Sequence, residues 1–511
     1  MNNKCPYCDT VIDSNEEVVV CTNQECKRLL KRCSKYDCQS LNKAFARFCH
    51  KCGQPLLQNY NDKIFDWTQD GKDAYRSSFN SSSKTFNSID VKARFPETID
   101  RLKSLDQENI PELPGMIYVE DLLIYYEPLE KKFIALFYRE QETFQDNSRV
   151  YKHKLLKKWE CPFEDYEVSK VSTPVAYNGF MYVLSANPQF LHKISLDNGT
   201  RTILTIKTFK QNEEIPEEHF ELSGNNFKDG SPLLLNNISK INQEPFIIYI
   251  NKENAWAIDL SDDSFNKEDN SVKGWIYKFN KVIKNEISRP VLMGDFLIST
   301  ILDGAISGFV YFDLSTFPVK FEPRRIDSRD YKINKEEKYQ NIGKLDKCKF
   351  TPCVGSADNT ASWYAFSESC EFFFSVSLKS LSDISVKKYD IPFDNDMLQN
   401  ISNLIPIRVS GGISYISLIN QGSGSIFKDI TKKQIANING EYIFKYALPI
   451  DTTSIVVPYE VNKIGIIDSD EPPSSFKSLI DAGEVVINRP VKKDNLIFYQ
   501  TTYGVVCFVL V

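Results

Sequence analysis

"TPVAYNGFMYVLS", residues 173–185, is the stretch on which the fold turns. A proline is followed by a short apolar run, Asn178-Gly179 interrupts it, and a second apolar run completes the stretch. Asn-Gly between two short runs rich in Val, Tyr and Phe signals a tight hairpin, because such turns favour residues that tolerate positive φ. Proline suits the first residue of a strand, where its missing N–H interrupts no ladder.

The same layout returns along the chain. It reads "LPGMIYVEDLLIYY" at Pro114, "SPLLLNN" at Pro232, "RPVLMGDFLISTI" at Pro290 and "TPCVGSADNTASWYAFS" at Pro352. It continues as "IPIRVSGGISYISL" at Pro406, "LPIDTTSIVVPYE" at Pro449 and "RPVKKDNLIFYQ" at Pro490. The markers recur roughly every 40–60 residues, the period range of propeller and solenoid repeats. A second signature sits later in several units: Ile194-Ser195-Leu196, Ile258-Asp259-Leu260, Phe312-Asp313-Leu314 and Val376-Ser377-Leu378, each closing an apolar run. Two markers in fixed order at a common period define a repeat. Units of this length with several short strands bury their faces against one another, so the expected fold is mostly β, with a β-propeller.

The layout of proline, strand, turn, strand and a later Asp-Leu resembles the propellers of the pyrroloquinoline-quinone-like, or quinoprotein-type, family over residues 111–511. WD-type propellers fit less well, since no Gly-His/Trp-Asp pair marks the units. The eight markers suggest eight blades, with seven as the alternative. From Pro490 to Val511 there is room for about three strands. An open edge there would invite aggregation, so a fourth strand is expected from the N-terminal side, and "IDVKARF", residues 89–95, is the candidate.

The chain holds 13 cysteines, and eight of them fall in four pairs near the start: Cys5/Cys8, Cys21/Cys26, Cys33/Cys38 and Cys49/Cys52. The others, Cys161, Cys348, Cys353, Cys370 and Cys507, are scattered. Each paired spacing lets a tight turn aim two thiolates at one tetrahedral zinc, about 2.3 Å from each sulfur. Two such turns complete a closed site, so the expectation is two structural Zn2+ ions that stabilise a small fold and do no hydrolysis. Sequential pairing, first with second and third with fourth, needs only two short hairpins. A crossed arrangement and structural disulfides are the alternatives.

The segment "CSKYDCQSLNKAFARFCHKCGQPL", residues 33–56, resembles the second half of a double zinc ribbon. Asn42, Phe45, Arg47, Phe48, Cys49, Cys52, Gly53, Pro55 and Leu56 carry the likeness. The chain departs from the family in the wider spacings at Cys21/Cys26 and Cys33/Cys38. His50 lies inside the last knuckle and is read as exposed, because four thiolates already fill that site.

The predicted organisation is a double zinc ribbon over residues 1–57, a Ser/Asn-rich linker over 58–110 that includes the possible closing strand, and a propeller over 111–511. "SSFNSSSKTFNS", residues 77–88, buries too little apolar surface to order by itself.

Charge argues against a whole-surface nucleic-acid binder, since the net value is −6. It is uneven, however: residues 1–56 carry nine Lys/Arg against six Asp/Glu. Lys27, Arg28, Lys31, Arg32 and Lys35, with Tyr7, Tyr36 and Phe45, could meet phosphates and bases. The favoured reading is that they offset the negative charge of thiolate-bound zinc on a solvated surface. The start of the chain lacks the pattern of a secretory peptide, and paired cysteines read as metal in a reducing compartment, so the expected location is cytoplasmic. The longest apolar run, residues 504–511, is far below the ~20 residues that span a bilayer.

Catalytic constellations are sparse. Quinone-dependent propeller enzymes hold their cofactor with calcium, a Trp platform and clustered acids, and no such set is evident. The four histidines, His50, His153, His192 and His219, form no spaced pair. "SADNTASW", residues 356–363, resembles a sialidase Asp-box, but Thr360 replaces its glycine and the motif falls where the repeat places an ordinary hairpin. Cys507 reads as a small core residue. No catalytic residue is assigned. The expected function is a protein-interaction scaffold, with a nucleic-acid adaptor as the alternative and a propeller enzyme as the third reading.

Overall fold

The computed structural model describes residues 113–145, 148–186, 190–210 and 476–511 continuously, most of 86–97 and 245–314, and shorter segments between 4 and 43 and between 213 and 468. The named elements among them are strands, apart from a 3₁₀ turn at Val168–Lys170.

The first unit is an antiparallel meander of Ile117–Val119, Leu122–Glu127, Lys132–Gln145 and Ser148–Pro162. The second repeats it with Val175–Tyr177, Phe180–Ser185, Phe190–Ser195 and Arg201–Lys210. A third follows with Leu233–Leu235, Phe246–Ile250, Asn254–Asp259 and Ser271–Lys278. Further antiparallel sheets of four or five strands continue in chain order to the C-terminal end. The first strands of successive units adjoin: Ile117–Val119 lies beside Val175–Tyr177, which lies beside Leu233–Leu235. Val491–Lys493, which opens the last unit, returns to Ile117–Val119. Meanders whose inner strands run round to the starting point are a β-propeller.

Burial within the first unit explains the ring. All residues of Ile117–Val119 and nearly all of Leu122–Glu127 are buried, although side chains alternate between the two faces. Tyr118, Leu123 and Tyr125 pack into a cluster with Val456, Phe498 and Phe508 of the C-terminal units. Ile117, Val119, Leu122, Ile124 and Tyr126 pack on the other side against Ala176, Met181 and Val183 of the second unit. The first unit thus has a neighbour on both faces, so its two inner strands are apolar almost throughout.

Local chemistry places the turns. Asn178 and Gly179 both have positive φ, at 51° and 79°, as the hairpin reading requires. In the unit at Pro406, Val409 pairs with Gly412, so Gly412 begins the second strand. Pro406 itself lies inside Ile401–Val409, which ends the strand order of its sheet, where a missing donor is tolerated. Val354–Gly355 pairs antiparallel with Ala361–Phe366, and residues 356–360 of "SADNTASW" lie outside the described residues. The leucines of the second signature, Leu196, Leu260, Leu314 and Leu378, are all buried.

The ring closes with Ile89–Phe95, which pairs antiparallel to Gly504–Leu510. Ser88 and Val511 exchange backbone hydrogen bonds of 3.1 and 2.9 Å. Ile89 and Ala93 enter the core between the last unit and the first. Asn488 Nδ2 donates to Pro114 O at 2.8 Å, and Gln500 Nε2 donates to Tyr126 O at 2.7 Å, tying these two units by side-chain amides.

Two features were not visible in the repeat pattern. Arg201–Lys210 pairs in parallel with Ser271–Lys278, which fuses the second and third meanders into one ten-stranded sheet. A polar residue two positions before the marker proline also recurs at Ser172, Ser288 and Asn488. Ser172 Oγ accepts from Leu184 N at 2.9 Å, Ser288 Oγ accepts from Thr300 N at 2.8 Å, and Asn488 Nδ2 donates to Gln500 Oε1 at 2.8 Å. Each anchors the segment entering a unit to the second strand of that unit.

Candidate metal centre

The N-terminal segment forms a three-stranded sheet of Val18–Val20, Leu29–Arg32 and Leu41–Lys43. Such a sheet has little core. Ile12, Leu30 and Leu41 pack with Cys5 and Cys21, and sulfur fills much of what apolar side chains would fill in a larger domain.

Cys5 and Cys8 occupy a tight turn in which Cys5 N donates to Thr10 O at 2.8 Å, with Lys4 and Val11 bridged across it. Cys21 follows directly on Val18–Val20. The three Sγ atoms lie within 4.8 Å of one another, and those of Cys8 and Cys21 are 3.5 Å apart. A tetrahedral zinc about 2.3 Å from each thiolate sets sulfurs about 3.8 Å apart, so this donor set fits such an ion. Thr10 Oγ1 lies 3.2 Å from Cys8 Sγ and accepts from Asn23 Nδ2 at 3.3 Å, which holds the turn around the sulfurs. The arrangement brings Cys5 and Cys8 of the first pair to Cys21 of the second.

The third pair has a similar local design. Cys33 follows Leu29–Arg32, its N–H donates to Ser40 O at 3.0 Å, and Gln39 sits at φ 49° in the turn. Both Cys33 and Cys38 are buried. Arg32 Nη1 donates to Gln39 O at 2.8 Å, and Asn42 Nδ2 donates to Ser40 O at 2.8 Å. Asn42 therefore shapes the turn. Cys26, Cys49, Cys52 and His50 lie outside the described residues, as do the side chains of the other basic and aromatic residues proposed to meet nucleic acid. Arg32, one of that set, is buried against Gln39, which corrects its reading as a phosphate contact.

None of Cys5, Cys8, Cys21, Cys33, Cys38, Cys161 and Cys507 is in a disulfide. Cys507 is fully buried on a strand as expected, and burial raises its thiol pKa. Burial likewise pushes the Cys161 thiol up to about 11, so both are poor nucleophiles. The two described histidines stand apart in kind. His153 Nδ1 is 2.5 Å from Tyr138 Oη on the long first-unit hairpin, while His192 is buried among aromatic rings.

No family model matches the chain, and no curated protein matches it. Solved structures do. The computationally designed protein Ika8 is 8% identical over 80% of this chain and 98% of its own, with a TM-score of 0.43. The Dos1 propeller is 9% identical over 78% and 93%, with a TM-score of 0.43. BamB from Moraxella catarrhalis is 11% identical over 85% and 87%, with a TM-score of 0.31. The fold assignment itself rests on the strand order and ring closure described above. Among the described residues, no helix is long and apolar enough to cross a membrane.

Proposed function

We propose that this chain is a zinc-stabilised interaction scaffold of the cytoplasm, in which a double ribbon over residues 1–57 is linked through 58–110 to an eight-bladed propeller over 111–511. The observation that carries the metal part is the convergence of Cys5, Cys8 and Cys21. Cys26 is the fourth ligand in this reading, and Cys33, Cys38, Cys49 and Cys52 hold a second Zn2+. Both ions are structural, because four thiolates leave no open position for water. Thiolate sites of this kind belong in a reducing compartment.

The propeller supplies a broad rigid surface for protein partners, and the ribbon a second contact. Joining two contacts in one chain raises the effective concentration of the second for any partner that touches both. The test is elemental analysis of the full chain purified without chelator, followed by pull-downs with the full chain before and after metal removal. Two zinc ions per chain and partners lost with the metal support the reading; no zinc removes its basis. The nucleic-acid alternative rests on Lys27, Arg28, Lys31 and Lys35. It requires a gel shift that weakens steeply with salt and with their replacement by Ala.

A further inference from the structure

His192 stands on Phe190–Ser195, the third strand of the second unit, with none of its surface exposed. Strand alternation turns it toward the first unit, on the same side as Ile194. There it meets residues 163–171, which connect the first unit to the second. The imidazole centroid is 4.8 Å from that of Phe163, 5.2 Å from Tyr166 and 6.4 Å from Phe190. Its register partners, Val183 and Ile203, are apolar. Neither Nδ1 nor Nε2 has a hydrogen-bond partner among the described residues.

Among the described residues, the charged and titratable groups around this cage offer an imidazolium no counter-charge. Arg201, on the next strand, places its guanidinium over the Phe163 ring at 4.9 Å and donates to Pro162 O at 2.7 Å. Cys161 holds its proton, and Tyr166 is part of the cage wall. Glu164, Asp165 and Glu167 of the connector are exposed, while Phe163 and Tyr166 between them are buried. A proton on His192 would therefore be a buried charge beside a cation, without an acceptor.

We propose that His192 is an acid-sensitive pin between the first two units: protonation of its imidazole frees residues 163–171 and opens that seam while the rest of the ring stays closed.

Burial first, and the Arg201 charge second, lower the imidazole from 6.5 to about 3. In the closed seam the group stays neutral; in the opened seam it regains its ordinary affinity for a proton. Because the opened form binds the extra proton, opening is favoured as pH falls through 6.5 and saturates near 3. Proton linkage gives about a thirty-fold rise in the open-to-closed ratio from about pH 8 to about pH 5. The inference stands independently of the scaffold reading.

Hydrogen exchange on the full-length protein, corrected for the pH dependence of intrinsic exchange, tests it. The reporting amides are Phe163 N to Lys131 O, Tyr166 N to Phe163 O and Ala186 N to Lys170 O. The expected result is loss of protection in these amides by about thirty-fold at about pH 5, with residues 496–510 unchanged and with no such loss in His192→Phe or His192→Gln. Unchanged protection at the seam, equal loss at 496–510, or the same acid response in the variants would overturn the proposal. Should neither variant fold, the wild-type imidazole resonance decides. Absence of titration between about pH 8 and about pH 5 supports the pin, and an ordinary midpoint near 6.5 refutes it.

Discussion

Removing one side of the Arg94–Glu484 pair should unfasten the ring, and the two sides should not be equivalent. The residues are 390 positions apart, one on the N-terminal closing strand and the other before the last strands. Arg94 Nη1 bonds Glu484 Oε1, Nη2 donates to Ala482 O at 2.7 Å, and Thr501 Oγ1 donates to the other oxygen of Glu484. The Glu484 side chain is 3% exposed and that of Arg94 is 26% exposed. Arg94→Ala would leave a buried carboxylate that keeps the Thr501 hydroxyl as a donor but has lost its counter-charge, a loss of about 3–5 kcal/mol. Glu484→Ala leaves a guanidinium that already reaches water and keeps its bond to Ala482, so about 2 kcal/mol is expected. The double variant Arg94→Met/Glu484→Leu should be less destabilised than the sum of its singles, by about 1–3 kcal/mol. Native-state hydrogen exchange of Val505–Leu510 amides measures this opening directly, and Arg94→Ala should cut protection there by about two to four orders of magnitude. An Arg94→Ala effect below about 1 kcal/mol, or one no larger than that of Glu484→Ala, would refute this account of the clasp.

Other perturbations test neighbouring parts of the argument. Cys8→Ser should lower the bound zinc by about one ion per chain in elemental analysis while leaving the propeller's unfolding transition in place. Asn488→Ala removes the amide that reaches Pro114 O and Gln500 Oε1, and should cost about 1–3 kcal/mol in denaturant unfolding. Gly504 has φ 143°, and a Cβ there would meet Phe95 O at 2.0 Å. Gly504→Ala should therefore displace the closing strand and raise proteolytic cleavage near residues 89–95, with Val505→Ala as a control that leaves the strand seated. The acid response assigned to His192 adds a pH axis to this set.

Much of the ring is legible in the amino-acid sequence, because its causes are local. A hairpin turn needs residues that tolerate positive φ, and Asn178-Gly179 announces one. An edge strand cannot be left open, so the apolar strand in "GVVCFVLV" calls for a partner, and "IDVKARF" is the segment that serves. The convergence of Cys5, Cys8 and Cys21 is legible for the same kind of reason, since cysteines paired at turn spacing suit a shared metal ion. Polar residues ahead of the prolines escaped notice, since Ser172 and Ser288 look like ordinary loop residues until their hydroxyls are seen accepting from Leu184 and Thr300.

The sequence by itself thus determined the strand character of the described units, the closing segment and the paired spacing of the N-terminal cysteines, three of which the fold brings together. Only the tertiary structure decided which surfaces meet. It brought Arg94 to Glu484, joined the second and third meanders through Arg201–Lys210 and Ser271–Lys278, and sealed His192 behind Phe163 and Tyr166. The physical reason is range. Turn chemistry and ladder formation depend on residues a few positions apart, whereas burial and charge pairing depend on neighbours that chain order does not specify.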